Sequence, residues 1–168
     1  MIDLYSNAAA SQPPRSGPAA ATRPRVNLPA ARHLLPMEVC VLLLDKEPDQ
    51  VLQIMESGQI DFAWNIAAPG ARRRDLRIWR ESLLALVNRS ASEPRSVEDV
   101  INSILPARDP RTPELQRWFC ASQSHVQRLV EAGELRPCAP PVATRGPNAF
   151  TRIERASVAE FLRKRRLR

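Results

Sequence analysis

Hydrophobic positions along this chain change their spacing in a set order, and they do so twice. From Met37 to Leu44 the residues are almost wholly apolar, enough for two helical turns and too few for a membrane span. Then "EPDQVLQIMESG" turns Val51, Ile54 and Met55 onto one helical face, with Pro48 in the first turn and Gly58 as the stop. Beyond that glycine the period falls to two. In "IDFAWNI", Ile60, Phe62, Trp64 and Ile66 share one face of a predicted strand. A loop, "AAPGARRRD", leads to a return strand through Arg77 and Ile78, and Ser82 is the expected cap of a closing helix.

The order recurs from Thr112, the expected cap of a helix reaching Phe119 with Pro113 in its first position. "SQSHVQRLVEAG" follows, with Ser122 as cap, Val126, Leu129 and Val130 inward, and Gly133 as the left-handed stop. A second return strand runs through Arg152 and Ile153, ahead of a helix capped by Ser157. With positions paired at a spacing of 75 and no gap, Val51 meets Val126, Glu56 meets Glu131 and Gly58 meets Gly133. Arg77 meets Arg152, Ile78 meets Ile153, Arg80 meets Arg155 and Ser82 meets Ser157. Self-similarity at one period predicts a duplicated unit. Helix, turn, helix, two-stranded wing, helix describes a mainly α fold with small β-wings: tandem winged helix-turn-helix domains joined by a helical linker.

The predicted organisation is a disordered Ala/Pro/Arg-rich arm over 1–36, a first winged unit over 37–88, a linker over 89–111, and a second unit over 112–168 with a basic tail. Within the linker, "SVEDVINSILP" pairs Ser96 with Asp99 as a capping box. It also sets Val97, Val100, Ile101, Ile104 and Leu105 on one stripe. The 96–105 helix is expected to pack on one unit or on a dimer partner. The arm, of charge +3, is either a solubilising tail or a DNA-grasping extension.

Charge adds a partner to this picture. The 168 residues carry a net +7 and a pI near 10.5, which favours a polyanion, with nucleic acid ahead of a membrane. Of the cations, 23 are Arg and two are Lys. Arg grips guanine or phosphate bidentately, although an Arg-rich codon bias would give the same skew. Cys40, Cys120 and Cys138 are scattered without a C-x-x-C, so neither a disulfide framework nor a zinc site is indicated. No nucleophile–base set or phosphate-cradling glycine loop occurs. The chain is therefore expected to be non-enzymatic, without cofactor, off the membrane and cytoplasmic.

The two units differ in charge. Met37–Gly70 nets −5, from Lys46 against six acids, whereas 112–168 nets +6, from eleven cations against five acids. In the second unit the outward residues of the second helix are Gln123, Ser124, Gln127 and Arg128, with His125 at the border. Gln pairs with adenine and Arg with guanine in a major groove. Arg145 stands at the second wing tip, and Arg163–Arg168 can grip phosphate from the tail. In the first unit an acidic helix does not suit phosphates, but the wing arginines Arg72, Arg73, Arg74 and Arg77 suit a minor groove or a backbone. That unit is either an architectural DNA contact or a protein-interaction domain. Trp64, Trp79 and Trp118 are expected in the core.

The second unit, "LQRWFCASQSHVQRLVEAGELR…TRIERASVAEFLRKRR", resembles the excisionase/MerR-like winged-helix DNA-binding domain. The shared pattern falls on Ser122, Val126, Arg128, Val130, Gly133 and Leu135, then on Arg152, Ile153, Arg155, Ser157, Val158, Phe161 and Leu162. The resemblance implies sequence-specific double-stranded DNA binding, and brings Ser122, Arg152 and Arg155 into the contact set. The family's domain serves transcription regulators, excisionase-type recombination directionality factors of mobile elements, and terminase small subunits. A DNA-linked assembly adaptor is the alternative reading, with the first unit meeting a partner protein or a second copy.

Overall fold

A computed structural model describes residues 30–90, 95–138 and 151–167. Within them the chain forms β1 (Leu34–Pro36), α1 (Met37–Leu44), α2 (Pro48–Glu56), β2 (Ala63–Asn65), β3 (Leu76–Trp79) and α3 (Arg80–Val87). Then come α4 (Val97–Ile104), α5 (Thr112–Trp118), α6 (Gln123–Glu131), α7 (Arg155–Arg165) and β4 (Arg166–Leu167). The fold is mixed: helices around one small antiparallel sheet. No helix among the described residues is long and apolar enough to cross a membrane.

The helices start at a regular spacing. Those beginning at 37, 48 and 80 are matched by helices beginning at 112, 123 and 155, each 75 further on. The left-handed residues follow suit: Asp45 (φ 52) with Cys120 (φ 48), and Gly58 (φ 76) with Gly133 (φ 72). Asp45 and Cys120 lie in the turn between two helices, where a reversal needs one residue of positive φ.

Local signals set most helix ends. Ser122 Oγ accepts from the His125 N–H at 3.2 Å, and Ser96 Oγ from the Asp99 N–H at 3.1 Å, with Asp99 reaching back to the Ser96 N–H. Other expected caps move. Arg111, not Thr112, precedes α5. Trp79 and Glu154, not Ser82 and Ser157, precede α3 and α7, so both serines lie inside the first turn and are buried. Ser157 Oγ there accepts the Arg136 N–H at 3.0 Å, tying the helix to the chain leaving α6.

The sheet runs β1-β3-β2-β4, antiparallel throughout, and both of its faces are covered. Alternation sends neighbouring residues to opposite sides. Leu35, Ala63 and Ile78 pack with Cys40, Val51, Met55, Ile60 and Leu83, the core of the N-terminal half. Leu34, Phe62, Trp64 and Trp79 join the larger core made by α4, α5, α6 and α7, with Phe119, Val126, Leu129 and Phe161. The wing strands are thus a seam between halves. Sequence reading had them as a wing of the first unit alone.

Three expectations change with that seam. The arm does not extend to residue 36, because Leu34 and Leu35 are fully buried in an edge strand. Ile60 does not share a face with Phe62, Trp64 and Ile66; it turns into the opposite core. The apolar stripe of α4 is no free dimer surface either, since Val100, Ile101, Ile104 and Leu105 are buried beside α7. Trp64 and Trp79 are core residues, while Trp118 is half-buried against that core.

Candidate nucleic-acid interface

Helix α6 is amphipathic in the expected sense. Val126 and Leu129 are fully buried and Val130 packs behind them, while Gln123, Ser124, Gln127 and Arg128 are exposed. Their contacts are light. Gln127 Nε2 reaches Glu131 Oε1 at 3.2 Å, and Arg128 Nε reaches the Ser124 carbonyl at 3.3 Å. Exposed hydrogen bonds of this kind are weak enough to be exchanged for a ligand. Ser122 caps the helix, so its hydroxyl is engaged with the backbone and with Ser124 Oγ at 3.0 Å.

His125 takes a different part from the one expected. Its side chain is 13% exposed, and Nε2 lies 2.9 Å from the Ile66 carbonyl. A carbonyl only accepts, so Nε2 carries the proton in that bond. Nδ1 lies 3.8 Å from Asp75 Oδ2. Both partners belong to the loop between β2 and β3, so His125 ties that loop to the first turn of α6.

The loop is shaped from within. Asn65 Oδ1 accepts the N–H groups of Ala67 at 3.2 Å and Asp75 at 3.0 Å, and the Ile66 N–H donates to the Asp75 carbonyl at 2.9 Å. Gly70, at φ 76, supplies the turn. Arg72, Arg73 and Arg74 are exposed on this closed loop, on the segment that His125 anchors beside α6. His125 thus ties the two ends of this loop to α6, while Arg74 itself lines a pocket with Leu52, Met55 and Glu56 of α2. Asn65 and Asp75 were missed by sequence reading, whose only cue was an Asx residue at each end of the loop.

Arg77 leaves the predicted contact set. It is 7% exposed, with Nε donating to the Phe119 carbonyl at 2.6 Å and Nη2 to the Cys120 carbonyl at 3.2 Å. Nη1 pairs with Asp75. Its charge satisfies the otherwise orphaned carbonyls at the C-terminus of α5 across the seam. Arg155 is half-buried and engaged within the chain, donating to the Pro106 carbonyl at 2.7 Å and Asn102 Oδ1 at 2.6 Å. Arg152 is exposed. Arg145 lies outside the described residues.

The basic C-terminus is also largely engaged. Arg163 forks onto Glu98 at 2.6 and 2.7 Å, Arg165 reaches Glu134 at 2.7 Å, and Arg166 stacks 4.8 Å from the Phe62 ring centroid. The Arg163 guanidinium holds the Glu98 carboxyl below the usual glutamate range. The tail joins the sheet through β4, while Lys164 is 67% exposed at 3.7 Å from Glu134 and Arg168 lies outside the described residues. Three exposed arginines not singled out from sequence, Arg32, Arg111 and Arg117, line grooves along α5 instead.

The N-terminal half presents another surface. Asp45, Glu47, Asp49 and Glu56 are exposed about α2, and Leu42 on α1 is 62% exposed. No family model, curated protein or solved structure matches the chain.

Proposed function

We propose that this chain is a double-stranded DNA-binding protein built on a duplicated winged helix-turn-helix unit, with α6 as the helix that enters the major groove. The observation carrying this reading is the polar face of α6: Gln123, Ser124, Gln127 and Arg128 project outward from a helix seated on Val126 and Leu129. His125 fastens the ends of the loop that carries Arg72–Arg74 to the first turn of α6. A helix about 10–12 Å across suits a major groove about 12 Å wide. The exposed arginines supply the sequence-independent phosphate attraction that base contacts alone lack.

In this scheme the chain has no enzymatic step. Its biological place is transcription regulation or, as an excisionase-type factor, the directionality of a recombination event. A second reading, a DNA-linked assembly adaptor, draws on Leu42, exposed on α1 of the acidic half. Enrichment of random duplexes on the purified protein tests the choice. A sequence reader yields a defined site, bound with an affinity that falls steeply with salt. Uniform recovery of all sequences would remove the reader and leave the adaptor.

A further inference from the structure

The arginines of this chain divide by what they touch. Arg77, Arg155, Arg163 and Arg165 are held by internal partners. Arg111, Arg117 and Arg152 are exposed and form no ion pair among the described residues.

Two of these are forced together by the backbone. Arg111 and Arg152 face each other across an antiparallel bridge, flanked by Thr112 N–H to the Thr151 carbonyl at 3.1 Å and Ile153 N–H to the Pro110 carbonyl at 2.9 Å. Those flanking bonds make the two arginines a non-hydrogen-bonded pair, with Cα atoms about 4.5 Å apart and side chains on the same face. Like charges directly opposite repel. The position 75 residues earlier pairs Pro36 with Arg77, one charge in place of two. Asp109 lies close enough to feel the Arg152 charge, and Glu114 that of Arg111. Neither carboxylate forms an ion pair with them, and two guanidiniums held in register gain from an anion between them.

The surroundings suit one. Arg111, Arg117 and Arg152 line an open groove of about 430 Å³, and it adjoins a second of about 540 Å³ through Pro113 and Arg117. Arg32 lines that second groove. One carboxylate lines the groove, Glu114, and it is already taken. Arg108 grips both its oxygens at 2.5 and 2.9 Å, and Oε2 also accepts the Arg111 N–H at 2.8 Å. Nearby Asp109 is taken too, accepting the Arg155 N–H at 2.9 Å.

We propose that this cleft is a phosphate site, with Arg111 and Arg152 closing on one phosphate and Arg117 and Arg32 continuing the track. Two guanidiniums present forked donors that match the oxygens of a phosphate. The occupant is taken to be the backbone of a bound duplex, and that part alone rests on the DNA-binding reading.

Thermal unfolding of the full chain in inorganic pyrophosphate, against sodium chloride of equal ionic strength, tests the site. The melting temperature should rise with pyrophosphate and the rise should vanish in the Arg111→Gln/Arg152→Gln double variant. Without anion the double variant should melt no lower than the parent, because the repulsion is gone. An equal rise in both proteins, or none in the parent, would overturn the proposal. The occupant is read from duplex binding: the double variant should flatten the log affinity against log salt slope by about two units, whatever the sequence. An unchanged slope with the pyrophosphate effect intact would assign the site to a free phosphate compound. Loss of base preference in Arg128→Ala concerns α6 alone and leaves the pyrophosphate response untouched.

Discussion

The two halves start three helices each at positions 75 residues apart, and use matching positions in opposite ways. At the return strand, Arg77 of the N-terminal half is buried and bonded to the carbonyls of Phe119 and Cys120, whereas Arg152, 75 residues on, is exposed beside Arg111. The second helices diverge as well. In α2 the exposed side chains include Asp49 and Glu56; at the matching turns of α6 they are Ser124 and Glu131, with Gln127 and Arg128 between. Similar local signals therefore produce similar backbones, but neighbours decide which side chain is glue and which is free. The wing of the first half became a seam because a second core covers its outer face.

That contrast can be broken at several points, most severely at Arg77. Arg77→Ala leaves the α5 carbonyls and Asp75 without their partner inside the seam, and should destabilise the chain by about 3–5 kcal/mol. Chemical denaturation measures it, and a near-neutral result would refute the seam role. Trp64→Ala should cost a similar amount, about 3–5 kcal/mol, through the cavity left between the halves. Since both cores share this sheet, the variant should still unfold in one transition; two separate transitions would show the halves to be independent. Next comes the outward face of α6, under the proposed DNA-binding function. Gln127→Ala and Arg128→Ala should each remove about 1–3 kcal/mol of discrimination between preferred and scrambled duplexes. Their melting temperatures should not move, and a large shift would place these residues in the fold instead.

Smaller effects sharpen the comparison. Gly133→Ala should destabilise by about 1–2 kcal/mol, through conformation alone, since nothing lies within 4 Å of an added Cβ. The smallest effect is the response to acid. Arg108 holds Glu114 below its usual range, and the Arg155 N–H does the same for Asp109. Groups with lowered carboxyl values stabilise the fold above their unfolded values and lose that contribution as pH falls through the folded ones. Burial, aided by the Arg80 charge, also lowers His33, so protonation near its ordinary value of about 6.5 favours the unfolded chain. Melting temperature should thus decline from about pH 6.5 downward, first through His33 and then below about pH 4 through the carboxylates. A rise on acidification would contradict both assignments.

Much of this was legible in the residues, and the misses share one cause. The α6 face followed from spacing alone, because helical period and capping are properties of a dozen neighbouring residues. The Ser96–Asp99 box and the α4 stripe were readable for the same reason. Arg77 is buried, and Arg155 and His125 are tied to other parts of the chain, because an outward position on an isolated unit is not outward once another element packs there. Leu34 and Leu35 went unnoticed as a strand, being too short to show alternation. The Arg111 and Arg152 pair was invisible, as no local rule brings residues 41 positions apart into register.

By itself the sequence determined the helices, their polarity, the 75-residue spacing of the trace and the excess of arginine over lysine. All of these arise from interactions within one or two turns, or from composition. Only the tertiary structure decided that the first wing is buried on both faces, that His125 fastens an arginine loop to α6, and which guanidiniums remain exposed. Those outcomes depend on burial and on contacts between distant segments, and a hydrogen-bonding group is committed or available according to what the folded chain lays against it.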